Sequence, residues 1–341
     1  MKKLTALFLI TGLFMILGLT PVVMADTVKK KYTLHLAEPM PISHTITKAA
    51  NLMAKRADEL SGGKIKIIVH AGGSMFKDHD IPEATMTGGC DIAIGATATW
   101  SSHIPGVSFF DVPFLIPPSL SIEKLVQTTI DFFDKSVLAK GGKLLDCVYY
   151  GEMEALITTK KQVKKPGDVK GLKLRIYDRS LLAGFKNKGA APMVMSSKEV
   201  YIGLQRGILD GAISGISSVV HRKWMEVCDY ALVIPNLVSR PSHPFLIVAN
   251  KLVWQKMEPA AQKIMMQVAK EARQYTVIGV KKAAIKNLAR LGSKVTIYEL
   301  EVGSLEWKQW QTALGVPGKK QFLKDNPKIG PQLIEIIDQL K

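Results

Sequence analysis

The sequence predicts an α/β protein built from two similar halves and a long helix. Short apolar stretches alternate with segments whose apolar residues recur every three or four positions, the patterns of strands and helices in parallel α/β units. This alternation occurs once before Cys147 and again after it. A continuous helical pattern then runs from Pro259 to Leu291, and at about 1.5 Å per residue it would be roughly 50 Å long, enough to span both halves.

The first half has well-separated strand and helix patterns. Predicted strands lie at Lys31–Ala37, Lys64–Val69 and Asp91–Ala96, and predicted helices at His44–Leu60, Ile81–Met86 and Ile122–Ala139. Ser43 is the expected N-cap of the first helix, because its hydroxyl can accept a hydrogen bond from an amide of the first turn. Gly62 and Gly63 end that helix. The apolar segment Phe109–Ile116 is expected to contain a turn.

The second half repeats the alternation. Predicted strands lie at Leu156–Thr159, Leu172–Ile176, Ile208–Ile213 and Pro244–Ala249, with helices at Leu181–Lys188 and Ser197–Arg206. After the long helix, which Gly292 ends, a strand is predicted at Val295–Leu300. A helical tail that contains tryptophan completes the chain.

The N-terminus has the layout of a secretory signal peptide over residues 1–25. Lys2 and Lys3 precede an apolar run, and Val23 and Ala25 stand at the small-residue positions before Asp26. The alternative is an N-terminal transmembrane anchor, but the run is slightly short for a bilayer span. We therefore expect an exported, periplasmic protein.

The composition excludes several classes of protein. With 341 residues, 47% hydrophobic and 22% charged, the chain is of ordinary globular composition, and its three cysteines exclude a disulfide scaffold. Whether Cys147 and Cys228 pair is left open. The net charge of +17 would suggest nucleic acid, but an exported protein rarely meets it. We expect a solvated basic surface or an attractive field for anionic ligands.

Searches for catalytic and cofactor motifs find none, so neither a cofactor nor a metal is expected. The nearest hydrolase-like pattern, around Ser214, has its serine one place too late. Asp78, His79 and Asp80 are metal-ligand types, but adjacent residues cannot easily face one ion, so a solvated loop is expected. His44 and His221 are expected at the surface or as caps. These observations favour a binding protein whose ligand lies between the halves, at the carboxyl ends of the strands.

The segment Lys165–Arg175 (KPGDVKGLKLR) resembles the P-x-D-L-K-G-L-K-x-R signature of TRAP transporter solute receptors, the extracytoplasmic subunits of tripartite ATP-independent periplasmic transporters. Further matches follow the family's order, at SGGKIK (61–66), FDVPFL (110–115), KEVY (198–201) and KWMEV (223–227). The resemblance covers nearly the whole chain after the signal peptide.

This resemblance implies a bilobed periplasmic binding protein fold, with two α/β domains joined by crossover strands and a long domain-spanning helix. Domain I would comprise residues 26–152 and 241–280, and domain II residues 153–240 and 281–341. Such a receptor, expected to be a monomer, closes on a small organic anion. It performs no chemistry and delivers the anion to small and large integral membrane subunits driven by an ion gradient.

The resemblance also assigns the ligand's anchor to Arg175, whose planar guanidinium can pair two-pronged with a carboxylate. The alternative for Arg175 is a structural salt bridge. Related receptors tend to carry a second arginine where Ala155 stands, an aromatic residue at Ser197 and an asparagine at Ser214. These smaller residues favour a monocarboxylate with a bulky or aromatic remainder over a dicarboxylate or sialic acid.

Other candidate contacts stand at strand ends or in loops, where ligands bind in open α/β sheets. They are Glu38, Thr97, Thr99, Trp100, Tyr177 and Asn236. Trp100 could stack on a ligand or pack against the Phe109–Phe114 segment. Asn236 could bind a ligand or only shape a turn. Ser197 and Ser214 could instead cap helices.

Two rival functions remain at this stage. An exported enzyme could use Arg175 as an electrophilic clamp, with Glu152, Glu154 or His44 as base. Alternatively, the receptor could feed a membrane sensor kinase rather than a transporter.

Overall fold

The computed structural model describes residues 27–151, 153–238 and 242–341, so the predicted signal peptide lies outside the described residues. The described strands form two sheets. We call the five-stranded sheet with its helices the first lobe and the six-stranded sheet with its helices the second lobe. None of the described helices is both long and apolar enough to cross a membrane.

The strands are short and mostly buried. In chain order they are β1 (Tyr32–Ala37), β2 (Ile65–His70), β3 (Ile92–Ala96), β4 (Gly142–Gly151), β5 (Glu154–Thr158), β6 (Lys173–Ile176), β7 (Ala191–Val194), β8 (Gly211–Gly215), β9 (Tyr230–Ile234), β10 (Ser242–Asn250) and β11 (Thr296–Glu299).

The helices cover both faces of each sheet. They are α1 (Thr45–Leu60), α2 (Ile81–Thr87), α3 (Thr97–Trp100), α4 (Ile122–Ala139), α5 (Arg179–Asn187), α6 (Val200–Gln205), α7 (Ile216–His221), α8 (Lys251–Lys256), α9 (Pro259–Gly292), α10 (Leu305–Trp310), α11 (Val316–Asp325) and α12 (Gly330–Leu340).

Each sheet contains an antiparallel strand that the parallel α/β prediction missed. The first sheet has the order β2-β1-β3-β10-β4, and the second β11-β9-β5-β8-β6-β7. β10 runs antiparallel to β3 and β4, and β5 runs antiparallel to β8 and β9. These two strands enter their sheets directly from the other lobe. The chain passes from β4 into β5 and returns from β9 into β10, so the predicted crossover strands are confirmed.

The long helix α9 braces the two lobes, as predicted. Its 34 residues contact α1 and β4 of the first lobe and α7 and β11 of the second. The division into domains stays a prediction. Within the tail, Trp307 and Trp310 pack in the core of the second lobe, whereas Leu333 and Ile337 of α12 pack against that of the first.

The structure corrects three local predictions. His44, not Ser43, caps α1, because its ring Nδ1 accepts from the amide of Ile46 at 3.1 Å. The helix predicted from Ser197 begins only at Val200, which leaves Ser197 in a loop. The second set of elements begins after β4, which contains Cys147 and belongs to the first sheet.

The cysteine pairing that the sequence left open has an answer. Cys147 is buried in the first lobe and Cys228 in the second, and both are free thiols, as is Cys90.

Candidate functional site

A cavity lies between the lobes, at the strand ends that face each other. It contains about 530 Å³ of space that no protein atom occupies, part of it open to solvent. The first lobe lines it with Pro39, Met40, Asp78, His79, Ala96, Ala98, Thr99, Tyr150 and Phe245. The second lobe lines it with Arg175, Tyr177, Ser197, Ser214 and Ser218. The wall therefore combines one buried cation, one carboxylate and an imidazole with hydroxyl, aromatic and aliphatic groups.

Arg175 reaches the cavity because it lies in the short strand β6. Leu174 and Ile176 point into a core cluster on one face of the sheet, so Arg175 points to the opposite face. There the guanidinium carbon of Arg175 lies 5.8 Å from the centre of the Trp224 ring, close enough for a cation–π contact.

Arg175 is only 4% exposed, and its guanidinium is held by backbone carbonyls. Its Nε donates to the oxygen of Met195 at 3.0 Å, and its Nη1 to that of Ile213 at 3.3 Å. Burial lowers the pKa of Arg175, although a guanidinium stays protonated in proteins. No carboxylate of the described residues forms an ion pair with it. The arginine is therefore oriented, but it lacks a direct counter-ion among the residues that the structure describes.

Asp78 joins the lobes at the rim of the cavity. Its Oδ2 accepts hydrogen bonds from the amide of Ser197 at 3.1 Å and from its hydroxyl at 2.8 Å. Burial would raise the pKa of Asp78, but the polar groups of Ser196 and Ser197 hold it below its usual value. Next to this contact, Lys198 donates to the carbonyl of Gly73 at 2.9 Å. The loop after β2 is thereby fastened to the loop after β7.

A second set of hydrogen bonds joins α1 to α7 beside the cavity. His44 Nε2 lies 2.8 Å from Ser217 Oγ, and Ser43 Oγ lies 2.7 Å from His221 Nδ1. The amide of Ile46 can only donate, so Nδ1 of His44 carries no proton and its Nε2 is the donor to Ser217. His44 therefore cannot act as a base toward Ser217, which removes one base from the rival enzyme interpretation.

Five of the predicted ligand contacts line this cavity. They are Arg175, Tyr177, Thr99, Ser197 and Ser214. Ser214 lies 3.2 Å from the hydroxyl of Tyr150, and Ser197 is bonded to Asp78. The structure brings these residues together from four separate strand ends and loops.

The other four predicted contacts lie outside the cavity lining. Trp100 is fully buried among the apolar side chains of the first lobe, so it packs rather than covers a ligand. Thr97 is also buried, and its hydroxyl donates to Asp111 at 2.6 Å. Glu38 is fully buried and accepts from the amide of Met40 and the hydroxyl of Thr47. Asn236 adopts a positive φ of 58°, consistent with its alternative role of shaping a turn.

Sequence reasoning missed several lining residues, including Asp78, Tyr150 and Phe245. Asp78 was expected in a solvated loop, but it is 9% exposed and lies against the other lobe. Tyr150 and Phe245 stack with ring centres 5.3 Å apart. Both residues lie near the ends of strands that connect the two lobes, and this position in the sequence could have identified them as lining residues.

Residues 36–325 match the model of the bacterial extracellular solute-binding proteins, family 7. The chain belongs to this family. The match includes both lobes and the cavity, and it confirms the resemblance to TRAP solute receptors drawn from the sequence.

Individual relatives of this TRAP solute receptor agree with the family match. The C4-dicarboxylate-binding protein DctB of Bacillus subtilis is 26% identical over 300 residues, 86% of this chain and 82% of the relative. The 2,3-diketo-L-gulonate-binding periplasmic protein YiaO of Escherichia coli is 25% identical over 304 residues, 86% of this chain and 89% of the relative.

A solved structure has the same bilobed fold. The TRAP periplasmic solute-binding protein of Sulfurospirillum deleyianum, crystallised with bound succinate, superimposes with a TM-score of 0.79 at 26% identity. The alignment covers 92% of this chain and 100% of that one. The bilobed α/β fold predicted from the resemblance is therefore confirmed.

Proposed function

We propose that this receptor captures a small organic anion with one carboxylate and delivers it to the membrane subunits of a TRAP transporter. The observation that carries this proposal is Arg175, a buried and oriented guanidinium in the interlobe cavity without an ion pair to the described carboxylates. Its Nη2 makes no hydrogen bond with the described residues. A bound carboxylate would supply both the missing charge and the missing acceptors.

The charges around the cavity favour a single negative charge on the ligand. Two buried arginines, Arg175 and Arg222, act on each other there, and the carboxylates whose charges act on them are Asp78 and Glu38. Burial raises the pKa of Glu38 to about 7, so it is only partly ionised at neutral pH. Among these four groups the two arginine charges are therefore largely balanced, which favours a ligand with one carboxylate over a ligand with two.

The remainder of the ligand would meet apolar and aromatic side chains. Met40, Tyr150, Tyr177 and Phe245 contribute to the lining, and Ala155 supplies no cation on the strand next to Ser214. Relatives named for a C4-dicarboxylate and for 2,3-diketo-L-gulonate support organic acids as the ligand class. The aromatic wall and the absence of a second cation at Ala155 support a monocarboxylate with a bulky or aromatic remainder.

The test begins with native mass spectrometry of the purified protein and identification of the molecule it releases. Calorimetry then compares that ligand, a panel of monocarboxylates and succinate on the wild type and on Arg175→Ala. Removing one partner of a buried charge pair costs about 2–5 kcal/mol, so we expect affinity to fall by about thirtyfold to several thousandfold.

Arg206→Ala is the matched control, because Arg206 lies on the surface of the same lobe. It should leave the affinity unchanged. Unchanged affinity in Arg175→Ala, or binding of succinate in preference to every monocarboxylate, would contradict the proposal. Recovery of the ligand in altered form after incubation would favour the enzyme instead.

Export and delivery have their own measurements. If residues 1–25 are a cleaved signal peptide, the N-terminal sequence of the protein recovered from the periplasm begins at Asp26. Uptake of the identified ligand by membranes that contain the two membrane subunits should require this receptor. Uptake without it would contradict the role in delivery.

A further inference from the structure

The exposed face of α9 carries a pattern that ligand capture does not explain. From residue 274 to residue 290, the helix turns its apolar stripe toward α1, β4 and α7. The opposite face exposes three large apolar side chains, Tyr275 at 39%, Ile278 at 59% and Ile285 at 79%. Their spacing of three and seven residues places them on one side of the helix.

The same face is strongly basic. Lys281, Lys282, Lys286 and Arg290 are exposed around these apolar side chains, and the sequence contains no Asp or Glu from residue 272 to residue 298. The preceding acid on this side, Glu271, is already ion-paired with Arg56 at 2.9 Å. We call this surface, residues 274–290 with its exposed cations, the α9 basic face.

A neighbouring element extends the positive charge. Burial lowers the pKa of His221, and the charges of Arg290, Lys48 and Lys286 lower it further. Lys48 of α1 therefore lies in the same neighbourhood as Lys286 and Arg290 of α9. Lys48 is exposed, and Ile42 in the loop before α1 is 78% exposed. The surface therefore continues from α9 onto the first lobe with the same combination of cations and isolated apolar side chains.

We propose that the α9 basic face binds the surface of an anionic phospholipid bilayer. The binding of a helix to a bilayer surface grows with the apolar area it buries and with its electrostatic attraction to anionic lipids, and this face offers both apolar side chains and cations. There the aliphatic stems cover apolar surface while the ammonium groups reach lipid phosphates. A second copy of the chain would oppose cations with cations. Lysine is also depleted in the cores of protein interfaces.

The placement of the surface fits this role. The family is extracellular, so the protein meets membrane surfaces. One side of α9 packs against α1 and α7 of the two lobes, and the α9 basic face lies on its opposite side. Binding through this face leaves the residues that line the cavity free. The proposal does not depend on the identity of the ligand or on Arg175.

Flotation with lipid vesicles tests the proposal on the chain without residues 1–25, whose apolar run would itself enter a bilayer. All described contacts lie within residues 27–341. Vesicles of phosphatidylcholine are compared with vesicles that also contain phosphatidylglycerol, at low and high salt. The charge variant is Lys281→Gln, Lys282→Gln and Lys286→Gln together. The control removes the same charge from α11 through Lys319→Gln, Lys320→Gln and Lys324→Gln, which are also exposed lysines.

We expect the wild type to float with phosphatidylglycerol vesicles and to be released by salt. One cation near an anionic surface changes partitioning by roughly fivefold, so the α9 variant should lose on the order of a hundredfold. For the α11 control, partitioning should fall by less than about tenfold. Ile278→Ser with Ile285→Ser should weaken binding without changing the charge.

Three results would overturn the proposal. The wild type could fail to bind anionic vesicles, or the two triple variants could lose binding equally, which would indicate diffuse attraction by the net charge. The protein could also bind native membrane vesicles only while their proteins are intact and ignore lipid vesicles, which would indicate an acidic protein partner.

Discussion

His44 should make the stability of the receptor depend on pH, and the variant His44→Asn tests this. The imidazole is fully buried, accepts from Ile46 and donates to Ser217 of the other lobe. Burial, and then the positive charges of His221, Arg222 and Lys48, lower its pKa well below 6.5. Asparagine keeps a good N-cap acceptor but does not titrate.

Proton linkage determines whether the free energy of unfolding rises or falls with pH. Because the pKa of His44 is lower in the folded state than in the unfolded state, the unfolded chain binds the proton more readily below pH 6.5. The stabilisation is complete above that pH and is lost as the pH falls below it. One such group removes about 1.4 kcal/mol between about pH 7.5 and about pH 5.5. The added proton goes to Nδ1, which can then no longer accept from the amide of Ile46, whereas the interlobe hydrogen bond to Ser217 keeps its donor Nε2.

The assay is urea unfolding of wild type and His44→Asn at both pH values, followed by circular dichroism. The variant loses the stacking of His44 on Tyr150, so its stability should be lower at every pH. The measurement that tests the prediction is how much unfolding free energy each protein loses between the two pH values. The other titrating groups contribute equally to both proteins, so the wild type should lose more than His44→Asn. Equal losses of unfolding free energy in the two proteins would refute the reasoning.

Three further substitutions, with Gly167→Ala as a control, separate packing from ligand recognition. Trp100→Ala should lower the free energy of unfolding by about 3–5 kcal/mol while leaving ligand affinity unchanged in calorimetry. A large loss of affinity with intact stability would instead indicate that Trp100 contacts the ligand. Gly215→Ala would place a methyl 2.2 Å from the Tyr150 ring, so we expect about 1–3 kcal/mol of destabilisation in thermal unfolding. Gly167→Ala, with nothing within 4 Å, should be silent. Asp78→Asn removes a carboxylate near Arg175, so the affinity ratio of succinate to a monocarboxylate should rise roughly tenfold; an unchanged ratio would contradict the charge balance.

The elements that could be predicted from the sequence are those specified by neighbouring residues. Helix α4 has the predicted bounds, and in the structure Ser121 caps its first turn before a long amphipathic run. Pro259 and Gly292 delimit α9 in the same way. Arg175 followed from a local motif, and its position in the cavity depends on the alternation of a four-residue strand.

The remainder depends on contacts between distant parts of the chain. Asp78 finds its partner in Ser197, 119 residues away, and no local pattern distinguishes it from a solvated aspartate. Trp100 has the same apolar neighbours in sequence whether it faces a ligand or the core. The antiparallel direction of β10 follows from its return out of the second lobe, which the apolar pattern of Pro244–Ala249 does not encode.

The position of β10 has a consequence for how the protein is made. This strand lies between β3 and β4, so the first sheet stays divided until residues 242–250 are available. By then the chain has already passed through β5 to β9 of the other lobe. A single cut in the chain therefore cannot divide the protein into two lobes that each contain a complete sheet. Strands that are far apart in the sequence must pair, which favours slow folding. If the predicted signal peptide takes the chain across the membrane unfolded, this topology gives it time, because the first 240 residues cannot complete either the first sheet or the cavity.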